Sequence, residues 1–269
     1  MAGFRRDHRF YRIIAGITAD RQVGGMRNIK LVVAYDGTDY HGFQRQKNAV
    51  TVQEVLEEQL SKIFGHGIKL NAAGRTDTGV HAFGQVVNFM TDGRIPADKI
   101  PLAAKGVLPA DIVVRSAEIA GEGFHARKSA VSKIYCYQIY QEPVCSPFFR
   151  NYAWQINQPL DIGAMHQAAQ ILLGTHDFSA FRAAGGETIN PVRTILMACC
   201  KQTGSRISFS LQGTGFLYHM VRNIVGTLID VGLKRMTVND FTAVLAGRDR
   251  KAAGITAPPQ GLYLKEVFY

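Results

Sequence analysis

The sequence predicts an α+β fold built from two similar α/β halves whose antiparallel sheets join. Two observations lead there. Runs rich in β-branched and aromatic residues, closed by turn signals, alternate with amphipathic segments at helical spacing. A similar order of elements then recurs on either side of a proline-containing connector, Pro143 to Arg150. A cleft between such halves is the natural place for a site. At 269 residues and 46% hydrophobic content, the chain can form one large domain or two small ones with real cores. The expected organisation is an extension at 1–25, an N-terminal half at 26–145 and a C-terminal half at 146–269.

The elements follow in order. Residues 1–25 carry five arginines against two aspartates and end in Val23-Gly24-Gly25 before a second methionine, Met26. They lack the apolar stretch and cleavage site of a secretory signal, and Asp7 and Asp20 count against a transit peptide. They read as a disordered extension or an upstream start. Ile29 to Tyr35 is a strand ending in the turn signal Asp36-Gly37. Thr51 to Phe64 is a helix: Thr51 and Glu54 form a capping box, and Val52, Val55, Leu56, Leu60 and Ile63 share a face. Lys69 to Asn71 lead into a glycine-flanked loop around Asp77, and Phe83 to Phe89 follow as a strand. A short helix near Ala97 to Lys105 and a strand at Ile112 to Glu118 come next, then a strand on which Tyr135, Tyr137 and Ile139 share one face.

Past the connector, Asp161 caps a helix through Leu173, with Ile162, Met165, Ala169, Leu172 and Leu173 inward and Gly174 as its stop. Strands at Thr194 to Lys201 and Arg206 to Gln212 follow, the second with Ile207, Phe209 and Leu211 alternating with polar residues. Phe216 to Leu233 reads as a helix with Phe216, Met220, Ile224, Thr227, Leu228 and Val231 inward, and with Tyr218 and Arg222 together on another face.

Composition narrows the function. A formal net charge of +10 favours a polyanionic partner, nucleic acid above all, and the dispersed basic residues suit a folded surface better than a disordered arm. No run approaches the roughly 18 uncharged apolar residues of a membrane span. Cys136, Cys145, Cys199 and Cys200 form no C-x-x-C pair and read as buried thiols in a reducing cytosol. No Walker-type or zincin motif offers a nucleotide or metal site, and His41, His81, His125 and His219, without metal-ligand spacing, read as polar scaffolding.

Ala73-Gly74-Arg75-Thr76-Asp77-Thr78-Gly79-Val80-His81-Ala82 is the most informative stretch. It sets one carboxylate between two glycines, which let the backbone turn tightly and approach a substrate. Arg75 can keep Asp77 ionised by opposing its charge, and a fixed carboxylate can act as a nucleophile or stabilise a cation. Three other stretches mix aromatic, basic and polar groups: Tyr35 to Gln46, Phe124 to Tyr135, and Phe216 to Asn223. Basic groups contact phosphates and aromatics stack on an extruded base. Each feature has a bland counterpart: Asp77 as a turn former, Tyr135 as a strand core residue, Arg222 as a solvated helix arginine.

Together these blocks, with Phe216 to Gly226 and the tail Thr256 to Leu264, resemble the tRNA pseudouridine synthase A family, in family order over about Ile29 to Tyr269. The resemblance implies the pseudouridine synthase fold, two halves facing across a central basic cleft. It implies a cofactor-free, metal-free cytoplasmic enzyme that converts uridine to pseudouridine at positions 38 to 40 of the tRNA anticodon stem-loop, and a homodimer in which one tRNA touches both subunits. By the same resemblance Asp77 is the nucleophile and Arg75 helps extrude the nucleotide. Tyr135 stacks on the uracil and manages the C5 proton, and Arg222 pairs with Asp77. Two rival readings remain. Asp77-Thr78-Gly79 also spells the tripeptide of aspartic proteases, which need two aspartates sharing a proton; an RNA-binding module without chemistry would leave Asp77 a turn role.

Overall fold

The computed structural model describes residues 25–144, 146–185 and 190–269. The extension expected at 1–25, except for Gly25, and Cys145 lie outside the described residues. In chain order the main elements are β1 (Arg27–Tyr35), α1 (Val52–Phe64), β2 (Asn71–Ala72), β3 (His81–Thr91), α2 (Ile100–Lys105), β4 (Ile112–Ala120), β5 (Ser132–Gln141) and β6 (Trp154–Ile156). There follow α3 (Ile162–Gln170), β7 (Gly174–Asp177), β8 (Val192–Thr203), β9 (Arg206–Gly213), α4 (Met220–Gly232), α5 (Val238–Gly247) and β10 (Leu262–Phe268).

The strands form one mixed sheet, mostly antiparallel, in the order β4-β1-β3-β10-β5-β9-β8-β7, with β2 added beside β3 and β6 beside β5. The α+β expectation holds at this level. The sheets expected to join are a single sheet, and β10, which the sequence reading did not mark as a strand, lies at its middle. It runs parallel to β3 and antiparallel to β5, so Leu264 is paired with both Ala82 and Tyr135. The strand before the connector, β5, pairs along its other edge with β9 from beyond the connector.

Periodicity explains most of the packing. In β9, Ile207, Phe209 and Leu211 are fully buried while the intervening residues are not, as a strand with one covered face requires. Val52, Leu56 and Leu60 of α1 and Met220, Ile224, Leu228 and Val231 of α4 belong to the same core as Leu31, Tyr137 and Phe209 of the sheet.

Four details depart from expectation: one cap, two boundaries and one further helix. Thr51 accepts from Glu54 N, but the Glu54 carboxylate is held by Arg45 at 3.1 Å, which is half a capping box. α3 ends at Gln170; the next residues continue in tighter i→i+3 turns, Leu173 is exposed, and Gly174 opens β7. α4 begins at Met220, four residues later than expected, because His219 has a left-handed φ of 57°. α5, unmarked in the sequence reading, is started by Thr237, whose hydroxyl and Asp240 carboxylate cap each other's backbone N–H. No helix among the described residues is long and apolar enough to cross a membrane.

Candidate active site

Asp77 lies on the loop from β2 to β3, and the backbone of that loop is fixed from several directions. Lys133 Nζ donates to Ala73 O at 2.6 Å, and Gln85 Nε2 to Gly74 O at 2.8 Å. Phe43 N donates to Thr76 O at 3.1 Å, and Gly79 N to Tyr40 O at 3.3 Å. The Thr76 hydroxyl meets the buried Tyr35 hydroxyl at 2.7 Å. Gly79 has φ 74°, a conformation open to glycine at no steric cost, and it turns the chain into β3. A loop held at this many points presents its carboxylate in a fixed place.

His81 closes the far end of the loop. Its Nδ1 accepts from Gly37 N at 3.0 Å, so the ring proton sits on Nε2, which faces Asn151 O at 3.0 Å and Gln260 O at 3.2 Å. Burial pushes this imidazole pKa down against the pull of Asp36, in keeping with a neutral ring. The scaffolding role expected of His81 has a concrete form: it ties the loop to Asn151, just past the connector, and to the C-terminal segment.

Arg222, in the first turn of α4, meets Asp77. Its Nη1 lies 3.3 Å from Asp77 Oδ2, and its Nε donates to Ala257 O at 2.7 Å. His219 Nε2 stands 3.4 Å from the same carboxylate oxygen. Burial lowers the His219 pKa, as do the cations Arg222 and Arg250, against the opposing effect of Asp77; the ring is neutral at neutral pH. The side chains of Asp77 and Arg222 are 26% and 12% exposed, a half-covered ion pair open to one side. A guanidinium on the carboxylate favours its ionised form, the wrong surroundings for aspartates that share a proton.

Tyr135 is buried, with its ring edge-on to Phe216 at 4.9 Å. Burial raises its phenol pKa, with Tyr35 and Asp77 adding to the rise, so the hydroxyl stays protonated at any working pH. Two residues earlier on β5, Lys133 is pushed down to about 8 by burial, with Arg127 adding repulsion. Arg75 is exposed on the loop, two residues before Asp77.

Of the four residues singled out in the sequence, Asp77 and Arg222 are in contact, Tyr135 stands near enough to feel the Asp77 charge, and Arg75 shares the loop. Tyr218 lies outside α4, and its ring stacks on His219 at 3.9 Å instead of lining up with Arg222 along a helix. The sequence marks His219 only as polar scaffolding, whereas the structure sets it against the Asp77 carboxylate, and it assigns no role to Lys133 or Arg250. His219 stands three residues before Arg222, and Lys133 two before Tyr135, and these spacings were the available signal. Among the described residues no group of three or more His, Cys, Asp or Glu could hold a metal ion.

A family model described as tRNA pseudouridine synthase matches residues 31–127 and 168–269. Among curated proteins, the chain is 50% identical over 244 residues to tRNA pseudouridine synthase A of Thermoanaerobacter sp. (strain X514), covering 91% of this chain and 100% of that protein. It is 46% identical over 245 residues to the protein of the same name from Ruminiclostridium cellulolyticum, covering 91% and 100%. To that of Acetivibrio thermocellus it is 45% identical over 244 residues, again covering 91% and 100%.

Proposed function

The chain belongs to the tRNA pseudouridine synthase family, and from that premise we propose that Asp77 is the carboxylate through which it works. The chain is an isomerase that converts uridine in tRNA to pseudouridine. Its substrate region is the anticodon stem-loop, at positions 38 to 40. It acts in the cytoplasm as a homodimer, without a cofactor, and the RNA lies in a basic cleft between two similar halves. The net charge of +10 supports a polyanionic substrate of this size.

The reaction breaks the N1–C1′ bond of uridine, turns the uracil and closes a C5–C1′ bond, with the C5 proton leaving and N1 gaining one. Asp77 acts as an anion at C6, at C1′ or on the C2′ proton, and each route needs the carboxylate fixed beside an extruded nucleotide. Arg75 helps displace that nucleotide from its stack. Tyr135 stacks on the uracil; as a protonated phenol it relays the C5 proton by donating and accepting together, not as a phenolate. Arg222 holds Asp77 in place. A detached base must not meet water, and the buried Tyr135–Phe216 pair supplies an apolar wall for that purpose.

The observation that carries the reading is the Asp77 carboxylate held by Arg222 at 3.3 Å beside a buried phenol. The test is Asp77→Asn, assayed by tritium release from C5-labelled uridine in tRNA. Turnover should fall by on the order of 10³-fold or more with RNA binding largely kept. Full activity in that variant removes Asp77 from the mechanism and leaves the loop a turn.

A further inference from the structure

We propose that Arg250 is a positioning residue for the reaction, fixing Arg222 on Asp77 through the segment Thr256–Ala257 and the buried amide of Asn223. The inference rests on the reading of Asp77 and Arg222 given above.

Arg222 is held twice by one residue. Its Nε donates to Ala257 O at 2.7 Å, and its own carbonyl accepts from Ala257 N at 3.1 Å. A guanidinium is planar and rigid, so anchoring Nε fixes the direction in which Nη1 meets Asp77. The place of Ala257 therefore sets the aim of the ion pair. Ala257 is fully buried but belongs to no strand or helix. Its position comes from elsewhere.

Arg250 supplies it. Nη1 donates to Gly254 O at 3.0 Å and Ala253 O at 3.3 Å; Nη2 donates to Asn223 Oδ1 at 3.1 Å and Thr256 Oγ1 at 3.2 Å. Thr256 Oγ1 donates to the same Asn223 oxygen at 2.7 Å, and Asn223 Nδ2 donates to Phe181 O at 2.8 Å. Gly254 N reaches Thr227 Oγ1 at 2.9 Å. Asn223 and Thr227, fully buried on α4, thus grip the segment from the helix that carries Arg222. One cation joins the Ala253 and Gly254 carbonyls and the Thr256 hydroxyl, on the stretch leading into Ala257, to one acceptor of the helix. The neighbouring Arg248 is exposed and pairs with Asp177 at 3.4 Å, so the inward role belongs to Arg250. The charge of Arg250 also reaches His219, the second group on Asp77.

The test uses the full-length protein, tRNA substrate and four variants: Arg250→Met, Arg250→Lys, Arg222→Met and the double Arg222→Met/Arg250→Met. Arg250→Met should lower kcat by on the order of 10- to 100-fold, the scale of a misplaced reacting group, with KM changed by less than about twofold. Arg250→Lys should not restore kcat, because an ammonium cannot serve the four acceptors of the fork. In the Arg222→Met background, Arg250→Met should cause no further loss of kcat, whereas a residue acting only on overall stability would multiply the defects. If Arg250→Met does not fold, Thr256→Val, which removes only the hydroxyl links, carries the same prediction at smaller amplitude. Unchanged kcat, a rise in KM alone, or multiplicative losses in the double variant overturns the proposal. A normal kcat in Arg222→Met instead overturns the reading of the ion pair beneath it.

Discussion

Replacing Arg222 with methionine keeps the length of the side chain while removing its charge and its two anchored N–H groups. The distance of 3.3 Å to Asp77 Oδ2 corresponds to an attraction of about 5 kcal/mol at an effective dielectric of 20. The carboxylate is 26% exposed, and water reduces this to roughly 2–3 kcal/mol. If that energy serves to hold the carboxylate at the reacting atom, its loss lowers kcat by about 30- to 150-fold. Single-turnover tritium release reads the chemical step free of product release. KM for tRNA should change by less than about threefold, and the salt dependence of binding should keep its slope, because the contact is between protein groups. A raised KM, an unchanged kcat and a log–log salt slope reduced by about one would identify Arg222 as a phosphate contact and refute the reasoning.

Two further outcomes follow from the geometry. At Gly226 an added Cβ would stand 1.7 Å from Ile255 O, a backbone atom that cannot rotate away, whereas at Gly247 it would meet nothing within 4 Å. Gly226→Ala should therefore cost on the order of 3 kcal/mol in urea unfolding and Gly247→Ala should be neutral or slightly stabilising; equal midpoints would contradict the close approach of α4 to the 255–257 segment. Lys133, lowered from 10.5 to about 8 by burial, is protonated in both states below pH 8, and there the folded state bears the cost of the buried charge. Between pH 8 and 10.5 the unfolded chain holds more protons, so this group's contribution to stability rises with pH, by about 3 kcal/mol in all. The stability difference between Lys133→Met and the parent should shrink accordingly from pH 7 to pH 10.5, and a pH-independent difference would show the ammonium to be solvated.

Local signals made much of the fold legible. α1 was readable because Thr51 can cap and Leu56 and Leu60 recur at helical spacing; β9 was readable because Ile207, Phe209 and Leu211 alternate. What escaped depends on partners far away in sequence. β10 reads only as a short apolar run after a proline pair, and its strand character comes from neighbours that it finds in β3 and β5. β7, of four residues, is defined by β8. The start of α4 was misplaced because Phe216 and Leu217 continue the apolar spacing, while the left-handed residue that breaks the helix is a histidine, not the expected glycine. The four candidate site residues come from motif blocks, but no spacing rule announces that Arg222 meets an aspartate 145 residues earlier. The same holds for Arg250, which in sequence is one basic residue among several.

The C-terminal segment explains why such distant residues meet. Ala257 holds Arg222, Pro258 O accepts from the buried Tyr137 hydroxyl at 2.7 Å, Pro259 packs on Gly79, and Gln260 O faces His81 Nε2. Within four residues the chain touches the strand of Tyr135, the C-terminal side of the Asp77 turn at Gly79 and His81, and the arginine that faces Asp77. β10 then enters the sheet with Leu264 paired to Ala82 and to Tyr135, so the register of one strand fixes the height of the loop relative to the tyrosine. A slip of one residue would turn every side chain of β10 to the other face and bury Lys265 where Leu264 now packs. The penalty for that error is large, and it falls on the same strand that aligns the site. Stability of the core and the relative placement of Asp77, Tyr135 and Arg222 are therefore one constraint here, and the buried polar cluster around Asn223 is part of it.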